Sequence, residues 1–383
     1  MKSFITTNKH IENISEIEIK EILCYDLNSI INENVVIFDI KNFEDLAKIA
    51  YKAQSINRAC LLLNNFEIET LDKLAIDFKK NTSFIKDIKD LIKNKTFKVE
   101  CERLGNHDFK STDVEIEIGK ILFDELKKNK TNNKTEYDNP EVIFYFFINQ
   151  NKVYFGLDFS GFDLSKRQYK IFNHNESLKG NVAYSLLRLA DFDKKKCLLD
   201  PFMGSGTILI EAALYVSNFP VQYYNKNKLS FTKLIDSKKI FESEDKKIKK
   251  IKKAEIYGYD YQMRYLEASK KNAKLAGIDK IINLSKCEIE WLDTKLKKNS
   301  IDFIITDPPR YSKNRNEKDF EKIYNELFYQ SDYILKKNSF ITILGKENSL
   351  LYKASEKHNF KIVKKYLISQ GQEIFNVLCF TRK

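Results

Sequence analysis

Residues 197–212 read CLLDPFMGSGTILIEA, a short apolar run, two glycines and then a second apolar run. The first run has the length of a buried strand, and the stretch from Thr207 to Val216 is typical of a helix. Gly204 and Gly206 let the backbone turn tightly and approach a ligand closely. The stretch therefore predicts a strand, a turn and a helix that bind a nucleotide-type cofactor, with a plain tight turn as the alternative.

The glycine pattern also limits which cofactor can bind. The stretch lacks the third glycine of the dinucleotide fingerprint, which argues against NAD and FAD. It also lacks the Gly-Lys-Ser/Thr ending of a P-loop, which argues against ATP.

Strands and helices continue to alternate after this stretch, as in a mostly parallel sheet built from βαβ units. The apolar runs Lys361–Leu367 and Ile374–Phe380, joined by SQGQ, predict an antiparallel hairpin at the sheet edge. The sequence thus predicts an α/β, Rossmann-like domain. Its strands are expected at Cys197–Leu199, Ile256–Tyr259, Ile281–Leu284, Ile301–Thr306 and Phe340–Leu344.

The region before this domain has a different pattern, in which short strands mix with helices. Residues 1–65 predict a small α+β, ferredoxin-like domain. Residues 66–160 predict a second α+β unit, in which Val142–Ile148 and Val153–Leu157 form a hairpin. We expect a linker at residues 161–180 and the Rossmann-like domain at 181–383.

A lysine-rich segment, residues 225–253, interrupts the alternating pattern. It holds eleven lysines and four acids. Such a run is typical of a solvated, partly mobile insertion, and contact with phosphates is the alternative.

Overall composition narrows the class of protein. The chain has 66 Lys and Arg against 54 Asp and Glu, a net charge of +12, which is compatible with a polyanionic partner. The six cysteines form no CxxC pair, and the four histidines do not approach them at ligand spacing, so we expect reduced thiols, no metal and a cytoplasmic location. The apolar run Val142–Ile148 is far shorter than the ~18 residues of a membrane span.

Two acidic residues follow the predicted strands after the glycine turn. Asp260 ends the strand EIYGYD, where a carboxylate can accept both hydroxyls of a ribose. Glu288 follows the next strand, where it could accept a hydrogen bond from an adenine amino group. An exposed loop glutamate is the alternative for Glu288.

Asp307-Pro308-Pro309 follows the strand Ile301–Thr306. Two prolines remove two backbone donors and fix φ, so the Asp side chain and the carbonyls form a rigid set of acceptors. Acceptors at this position suit an exocyclic amine, whose nitrogen lone pair they would turn towards an electrophile.

These motifs carry a resemblance to a known family. DPFMGSGTILIEAA (200–213), GYD (258–260) and DPP (307–309) resemble motifs I, II and IV of S-adenosylmethionine-dependent methyltransferases that modify exocyclic amines. Residues 96–126, with Arg103, Gly105 and His107, and the stretches NPEVIFYFF and LDFSGFDLSKRQYK resemble a THUMP RNA-binding domain and its junction. The combination is similar to the THUMP-containing guanine-N2 RNA methyltransferases, in the layout of the archaeal enzymes that act on the tRNA acceptor stem.

The resemblance implies a monomeric enzyme that uses S-adenosylmethionine to methylate a guanine in tRNA. The target amine would meet Asp307, Pro308 and Pro309. The RNA would meet Arg103, His107, Lys166, Arg167 and Tyr311. The cofactor would be held by Asn181, Asp200, Phe202, Gly204, Ser205, Gly206, Thr207, Asp260 and Glu288.

Two positions depart from the family pattern, and three other functions stay open. Arg310 stands where the family usually has an aromatic residue, so Tyr311 comes one place later, and the motif III acid is Glu288 rather than Asp. The alternatives are a 23S rRNA guanine-N2 methyltransferase, an adenine-N6 DNA methyltransferase, and a non-catalytic RNA-binding protein with a decayed methyltransferase domain.

Overall fold

The computed structural model describes residues 1–172, 177–251, 254–310, 316–346 and 348–383. Its strands, in chain order, are β1 (Lys2–Thr7), β2 (Ser29–Asn32), β3 (Val35–Asp39), β4 (Ile56–Glu67), β5 (Thr96–Leu104), β6 (Lys134–Thr135), β7 (Val142–Asn149), β8 (Lys152–Asp158), β9 (Leu198–Asp200), β10 (Ile256–Asp260), β11 (Asn283–Lys286), β12 (Ile301–Thr306), β13 (Leu335–Gly345), β14 (Phe360–Gln370) and β15 (Glu373–Arg382).

The strands form two sheets, and helices connect them along the chain. In chain order the helices are α1 (Glu12–Leu23), α2 (Phe43–Lys52), α3 (Leu71–Lys80), α4 (Phe84–Asp87), α5 (Lys89–Ile92), α6 (Ser111–Lys128), α7 (Gly180–Leu189), α8 (Thr207–Ser217), α9 (Phe231–Leu234), α10 (Lys238–Asp245), α11 (Met263–Leu275), α12 (Leu292–Lys295), α13 (Glu317–Ile334) and α14 (Ser349–Lys357).

The chain divides into two compact units. The first contains residues 1–7, 15–164 and 222–246, and the second contains residues 8–14, 165–221 and 247–383.

The first unit is built on an eight-stranded sheet in the order β2-β3-β1-β4-β8-β7-β5-β6. The predicted hairpin is present, because β7 and β8 pair antiparallel around the turn at Gln150. The sequence predicts separate domains at 1–65 and 66–160, whereas the structure joins both regions through the antiparallel pair β4 and β8. The pairing runs from Cys60 opposite Asp158 to Glu67 opposite Lys152, so one continuous sheet crosses the predicted boundary.

The lysine-rich segment also differs from its prediction as an insertion of the Rossmann-like domain. Residues 222–246 belong to the first unit, where Leu229 and Phe231 are fully buried in its core. The acids of the segment anchor it, because Glu244 pairs with Lys52 at 2.8 Å and Asp245 accepts a hydrogen bond from Tyr51 at 2.6 Å. The apolar residues between the lysines therefore fix this part of the segment.

The second unit has the predicted Rossmann-like architecture. Its seven-stranded sheet has the order β11-β10-β9-β12-β13-β15-β14. The pairs from β11 to β13 are parallel, and β13, β15 and β14 pair antiparallel, which confirms the terminal hairpin. Apolar residues of α7, α8 and α11 are buried in one core cluster, and those of α12, α13 and α14 in another.

The order of the parallel strands locates the site. β9 lies between β10 and β12, so the connection after β9 goes to one side and β12 lies on the other. In open α/β sheets, ligands bind outside the carboxyl ends of the strands at such a switch point. β12 is buried along nearly its whole length, as expected for a central strand covered on both faces.

Candidate active site

Three carboxylates meet at the carboxyl ends of the central strands. Asp200 is the last residue of β9, Asp260 is the last residue of β10, and Asp307 directly follows β12. All three line one cavity of about 310 Å³. The parallel register of the strands thus brings together acids that lie 47 to 107 positions apart in the chain.

The glycine turn forms one wall of this cavity. Gly206 caps α8 with φ of 82°, and Gly204 has φ of 51°, a left-handed conformation that costs other residues strain. A Cβ atom at Gly206 would lie 2.9 Å from Cβ of Ser269. Both the backbone conformation and the packing against α11 therefore require glycine at position 206.

Asp260 is held by the turn that it faces. Its carboxylate accepts hydrogen bonds from the backbone amide of Gly204 at 3.1 Å and from that of Gln262 at 2.9 Å. Burial raises the pKa of Asp260, and the two amides act in the opposite direction. The carboxylate thus has a fixed orientation in the cavity wall.

Asp200 is almost fully buried. Its Oδ1 atom accepts hydrogen bonds from the Thr306 hydroxyl at 2.6 Å and from the Phe202 amide at 3.1 Å. Burial raises the pKa of Asp200 to about 7, although both hydrogen bonds lower it. The charge of this wall of the cavity therefore changes near neutral pH.

The turn after β12 is held by contacts on both sides. The Arg310 guanidinium donates two hydrogen bonds to Asp307, from Nε at 3.2 Å and from Nη2 at 2.7 Å. The Tyr324 hydroxyl donates a hydrogen bond to the Pro309 carbonyl at 3.0 Å. Asp307, Pro308 and Pro309 all line the cavity.

Glu288 lies in a second cavity of about 320 Å³ next to the first. The two cavities share Phe202, Tyr261 and Pro309 in their walls. Asp260 connects the two regions through the backbone, because its carbonyl accepts a hydrogen bond from the Cys287 amide at 3.1 Å.

A family comparison agrees with this geometry. The family model for the RMKL-like methyltransferase domain matches residues 167–373. The chain belongs to the RMKL-like methyltransferase family. A model for the THUMP domain matches residues 67–158 of this methyltransferase.

Individual relatives give a consistent picture. The methyltransferase is 29% identical to the tRNA (guanine(6)-N2)-methyltransferase of Methanocaldococcus jannaschii, and the match covers 100% of both chains. It is 27% identical to the ribosomal RNA large subunit methyltransferase K/L of Buchnera aphidicola, over 73% of this chain and 41% of that protein. Its fold matches the crystal structure of the methyltransferase SMU.472 complexed with SAH with a TM-score of 0.83, at 20% identity, over 100% of this chain and 98% of that one.

The cavity of this methyltransferase includes residues that sequence reasoning missed. Tyr261, Gln262, Arg264 and Tyr265 line it directly after Asp260. Their place at the carboxyl end of a predicted strand is the signal that would have identified them, as it did for the acids.

The prediction for Asn181 is corrected by the structure. Asn181 is fully buried at the start of α7 and does not line the cavity. Its amide donates a hydrogen bond to Oδ1 of Asn8 at 3.1 Å. Ser177 and Leu178, just before α7, line the cavity instead.

Arg167 is also corrected as an RNA contact of the methyltransferase. Its side chain is 0% exposed and donates two hydrogen bonds to Glu211, from Nε at 2.7 Å and from Nη2 at 3.1 Å. Tyr169 donates to the same carboxylate at 2.7 Å. The Arg167 guanidinium is therefore buried and paired with Glu211, whereas the preceding residue, Lys166, is exposed.

The predicted RNA contacts Arg103 and His107 lie together in the first unit. The Phe109 ring is 5.3 Å from the Arg103 guanidinium and 5.1 Å from the His107 ring, measured to the ring centroid. Nε2 of His107 lies 2.6 Å from the Gln150 carbonyl oxygen. Tyr311, the remaining predicted contact, lies outside the described residues.

Across the described ranges, no group of three or more His, Cys, Asp or Glu is placed to hold a metal ion. Nor does any described helix combine the length and apolar character needed to cross a membrane.

Proposed function

We propose that this chain transfers a methyl group from S-adenosylmethionine to the exocyclic N2 atom of a guanine in tRNA, in the acceptor stem. The observation that carries the proposal is the single cavity in which Asp200, Asp260 and Asp307 meet beside two prolines. The end-to-end match to an archaeal tRNA (guanine(6)-N2)-methyltransferase and the THUMP match support it.

The residues present fit the cofactor. Two adjoining cavities of about 310 and 320 Å³ share Phe202 and Tyr261 and fall in the size range of small-molecule sites. The first is lined by acids, which suits a positively charged sulfonium, and the second combines Phe320 and Ile323 with Glu288, which suits a base. When bound, S-adenosylmethionine supplies an electrophilic methyl group.

The glycine turn and the acids that follow β10 and β11 would supply the cofactor contacts. The oriented carboxylate of Asp260 would accept hydrogen bonds from the ribose hydroxyls, and Glu288 one from the adenine amino group. Gly204 and Gly206 let the backbone approach the cofactor closely. The methionine portion would then contact the remainder of the turn, which comprises Asp200, Phe202, Ser205 and Thr207.

The methyl acceptor would be held by the turn after β12. Asp307 and the Pro308 carbonyl would accept the two hydrogens of the amine and turn its lone pair towards the methyl group. The Pro309 carbonyl already accepts a hydrogen bond from Tyr324, which fixes the turn. A base in a duplex reaches such a site only after flipping or local unpairing.

The test is the rate of methyl transfer by Asp307→Ala. With tRNA and labelled S-adenosylmethionine, we expect the variant to lose at least ~100-fold in rate, as for loss of a transition-state contact. Asp279→Ala is the matched control, because Asp279 is exposed and lines neither cavity. A variant with a near wild-type rate would remove Asp307 from the mechanism.

Mass spectrometry of the nucleosides decides the substrate. N2-methylguanosine in the tRNA fraction is the expected product, whereas label in rRNA alone would favour the rRNA alternative. We favour tRNA because the match to the tRNA enzyme covers all of that protein and the match to the K/L enzyme covers 41%. Methylated adenine in duplex DNA would favour the DNA alternative.

The RNA would be held by basic residues outside the cavity. We assign this role to Arg103 and His107, which flank an aromatic ring, and to the exposed Lys166. The cytoplasm is the compartment that fits a tRNA substrate and six free thiols. Calorimetry with S-adenosylmethionine tests the alternative of a decayed methyltransferase domain. That alternative predicts that S-adenosylmethionine does not bind.

A further inference from the structure

Arg310 holds the carboxylate to which the methyl acceptor must bind. Its Nε and Nη2 atoms donate to the two different oxygens of Asp307, at 3.2 and 2.7 Å. The side chains of Arg310 and Asp307 are only 17% and 14% exposed. The pair is therefore a side-on, two-point contact in a partly desolvated place, where charge-assisted hydrogen bonds are strong.

A second contact fixes the same guanidinium. Its Cζ atom lies 4.3 Å from the centroid of the Phe375 ring, which β15 contributes and which is fully buried. A guanidinium over an aromatic face is attracted by the ring quadrupole, more so away from water. Two separate elements of the second unit thus hold Arg310 in this position, which distinguishes it from a surface ion pair between neighbours in the chain.

The edge that Arg310 presents to Asp307 has the same chemistry as one edge of guanine. In arginine, Nε and Nη2 are two N–H donors on one carbon atom, and they point side by side at the carboxylate. In guanine, N1–H and N2–H₂ are two such donors on C2. Adenine has one donor group, N6–H₂, next to N1, which is an acceptor and would face a carboxylate oxygen with its own lone pair.

A base and Arg310 cannot both use this edge of Asp307. The incoming base must replace two charge-assisted hydrogen bonds, and a carboxylate oxygen left without a donor in this partly buried place is unfavourable. A base with two adjacent N–H donors restores both contacts, whereas a base with one restores only half of them.

We propose that Arg310 occupies Asp307 in the absence of RNA and that the methyl acceptor must displace it, so that Arg310 lowers the affinity of the site for every base by the same factor. This inference rests on the proposed function, because it takes the exocyclic amine of guanine as the methyl acceptor. It adds that the base competes with an internal guanidinium for Asp307, whereas discrimination between bases comes from the number of donors that each base offers to the two oxygens of Asp307.

The first test does not involve RNA. In Arg310→Ala, methylguanidinium should bind in the vacated place between Asp307 and Phe375 and raise the melting temperature of the full chain, because a ligand of the folded state stabilises it. In the wild type and in the double variant Asp307→Asn/Arg310→Ala, methylguanidinium should raise the melting temperature no more than methylammonium chloride does at the same concentration. Absence of a specific shift in Arg310→Ala would overturn the proposal, whether or not tRNA is the substrate.

The second test measures discrimination in the reaction. The probes are the same tRNA with guanine or with 2-aminopurine at the methylated position, since 2-aminopurine keeps the N2 amine and lacks N1–H. Relative to wild type, Arg310→Ala should lower KM for both RNAs by the same factor, about tenfold or more, and leave the ratio of their kcat/KM values unchanged. Arg310→Met keeps a side chain of similar length next to Phe375 but has no donor, and it should behave like Arg310→Ala. It serves as the control if the shorter alanine side chain destabilises the turn.

The outcomes separate the two proposals. An equal fall in kcat/KM for both RNAs in both variants would overturn the role of Arg310 and leave guanine methylation intact. If the wild type methylates no guanine at all, the proposed function fails, and the methylguanidinium experiment still decides whether Asp307 accepts a guanidine edge.

Discussion

The Thr306 hydroxyl donates a hydrogen bond to the carboxylate of Asp200 over 2.6 Å, and so joins the last residue of β12 to the last residue of β9. Both residues are almost fully buried. The contact fixes the glycine turn against the strand that precedes Asp307, so one hydroxyl links the two walls of the cavity that these elements form.

Replacing this hydroxyl by a methyl group tests the coupling. Thr306→Val should lower the free energy of unfolding by about 1–3 kcal/mol, because a buried carboxylate loses a donor. Thr342→Val is the matched control, since Thr342 is equally buried in the same sheet and its hydroxyl reaches only a cysteine sulfur at 3.5 Å. Equal effects of the two variants in urea denaturation would contradict the prediction.

The stability of the protein should depend on the ionisation of Asp200. Burial raises its pKa to about 7, above the value of an unfolded chain, near 4. The folded state therefore binds the proton more tightly, and the stability that this contributes is fully present below pH ~4 and is lost as the pH rises through ~7. Asp200→Asn removes the titration, so its free energy of unfolding relative to wild type should increase between pH ~4 and ~7. Parallel pH curves for the two proteins in the absence of cofactor would show that Asp200 does not titrate there.

Cofactor binding should respond to the same ionisation. A sulfonium cation in a cavity lined by Asp200 favours the ionised carboxylate, so affinity for S-adenosylmethionine should rise between pH 6 and 8. S-adenosylhomocysteine, whose sulfur is uncharged, should show a weaker dependence. Isothermal titration calorimetry in two buffers of different ionisation enthalpy measures the released proton directly. Equal pH dependence for the two ligands would argue that Asp200 does not sense the sulfonium.

Lys166 and Arg167 are adjacent in the chain and should affect different properties. Lys166 is exposed, so Lys166→Ala should weaken tRNA binding and reduce the dependence of log K on log salt by about one unit. Arg167 is buried against Glu211, so Arg167→Met should lower stability by ~3–5 kcal/mol and leave the salt dependence unchanged. Binding measured from ~50 to ~200 mM salt, together with melting curves, separates the two effects. A change of salt dependence in Arg167→Met would restore that residue as an RNA contact.

Stability should depend on glycine at position 206 but not on glycine at position 119. Gly206→Ala introduces a side chain at φ of 82° and a Cβ atom 2.9 Å from Ser269, and should cost about 1–3 kcal/mol and weaken cofactor binding. Gly119→Ala is the control, because Gly119 lies in α6 with open space around its Cβ position. That variant should be stabilised by ~0.4–1 kcal/mol. Denaturation curves that rank the two substitutions the other way would contradict the account of the turn.

Local sequence patterns predicted the architecture of the second unit and the placement of its three acids at the strand ends. β12 spans Ile301–Thr306 as predicted, because a central strand is mostly apolar and the DPP turn ends it. The placement of Asp200, Asp260 and Asp307 at one edge follows from parallel pairing alone. The burial of Arg167 and Asn181 was not predictable, since it depends on Glu211 and Asn8, partners distant in the chain.

In the first unit, too, local sequence did not predict which residues are buried by distant partners. The lysine-rich segment has four acids among many lysines, and its charge pattern is that of a solvated loop. Burial of Leu229 and Phe231 depends on packing against elements more than 60 residues away, which no local pattern contains.

The strand β4 has a consequence for how the chain can be divided. β4 pairs with β1 on one side and with β8 on the other, so the backbone edge of the THUMP match is covered by the region that precedes it. A fragment that starts at residue 67 would expose that edge above the apolar residues Val153, Phe155 and Leu157, a template for self-association. The two regions should therefore melt in one cooperative transition. Replacing either region with a domain from another protein would require new pairing partners for β4 or β8.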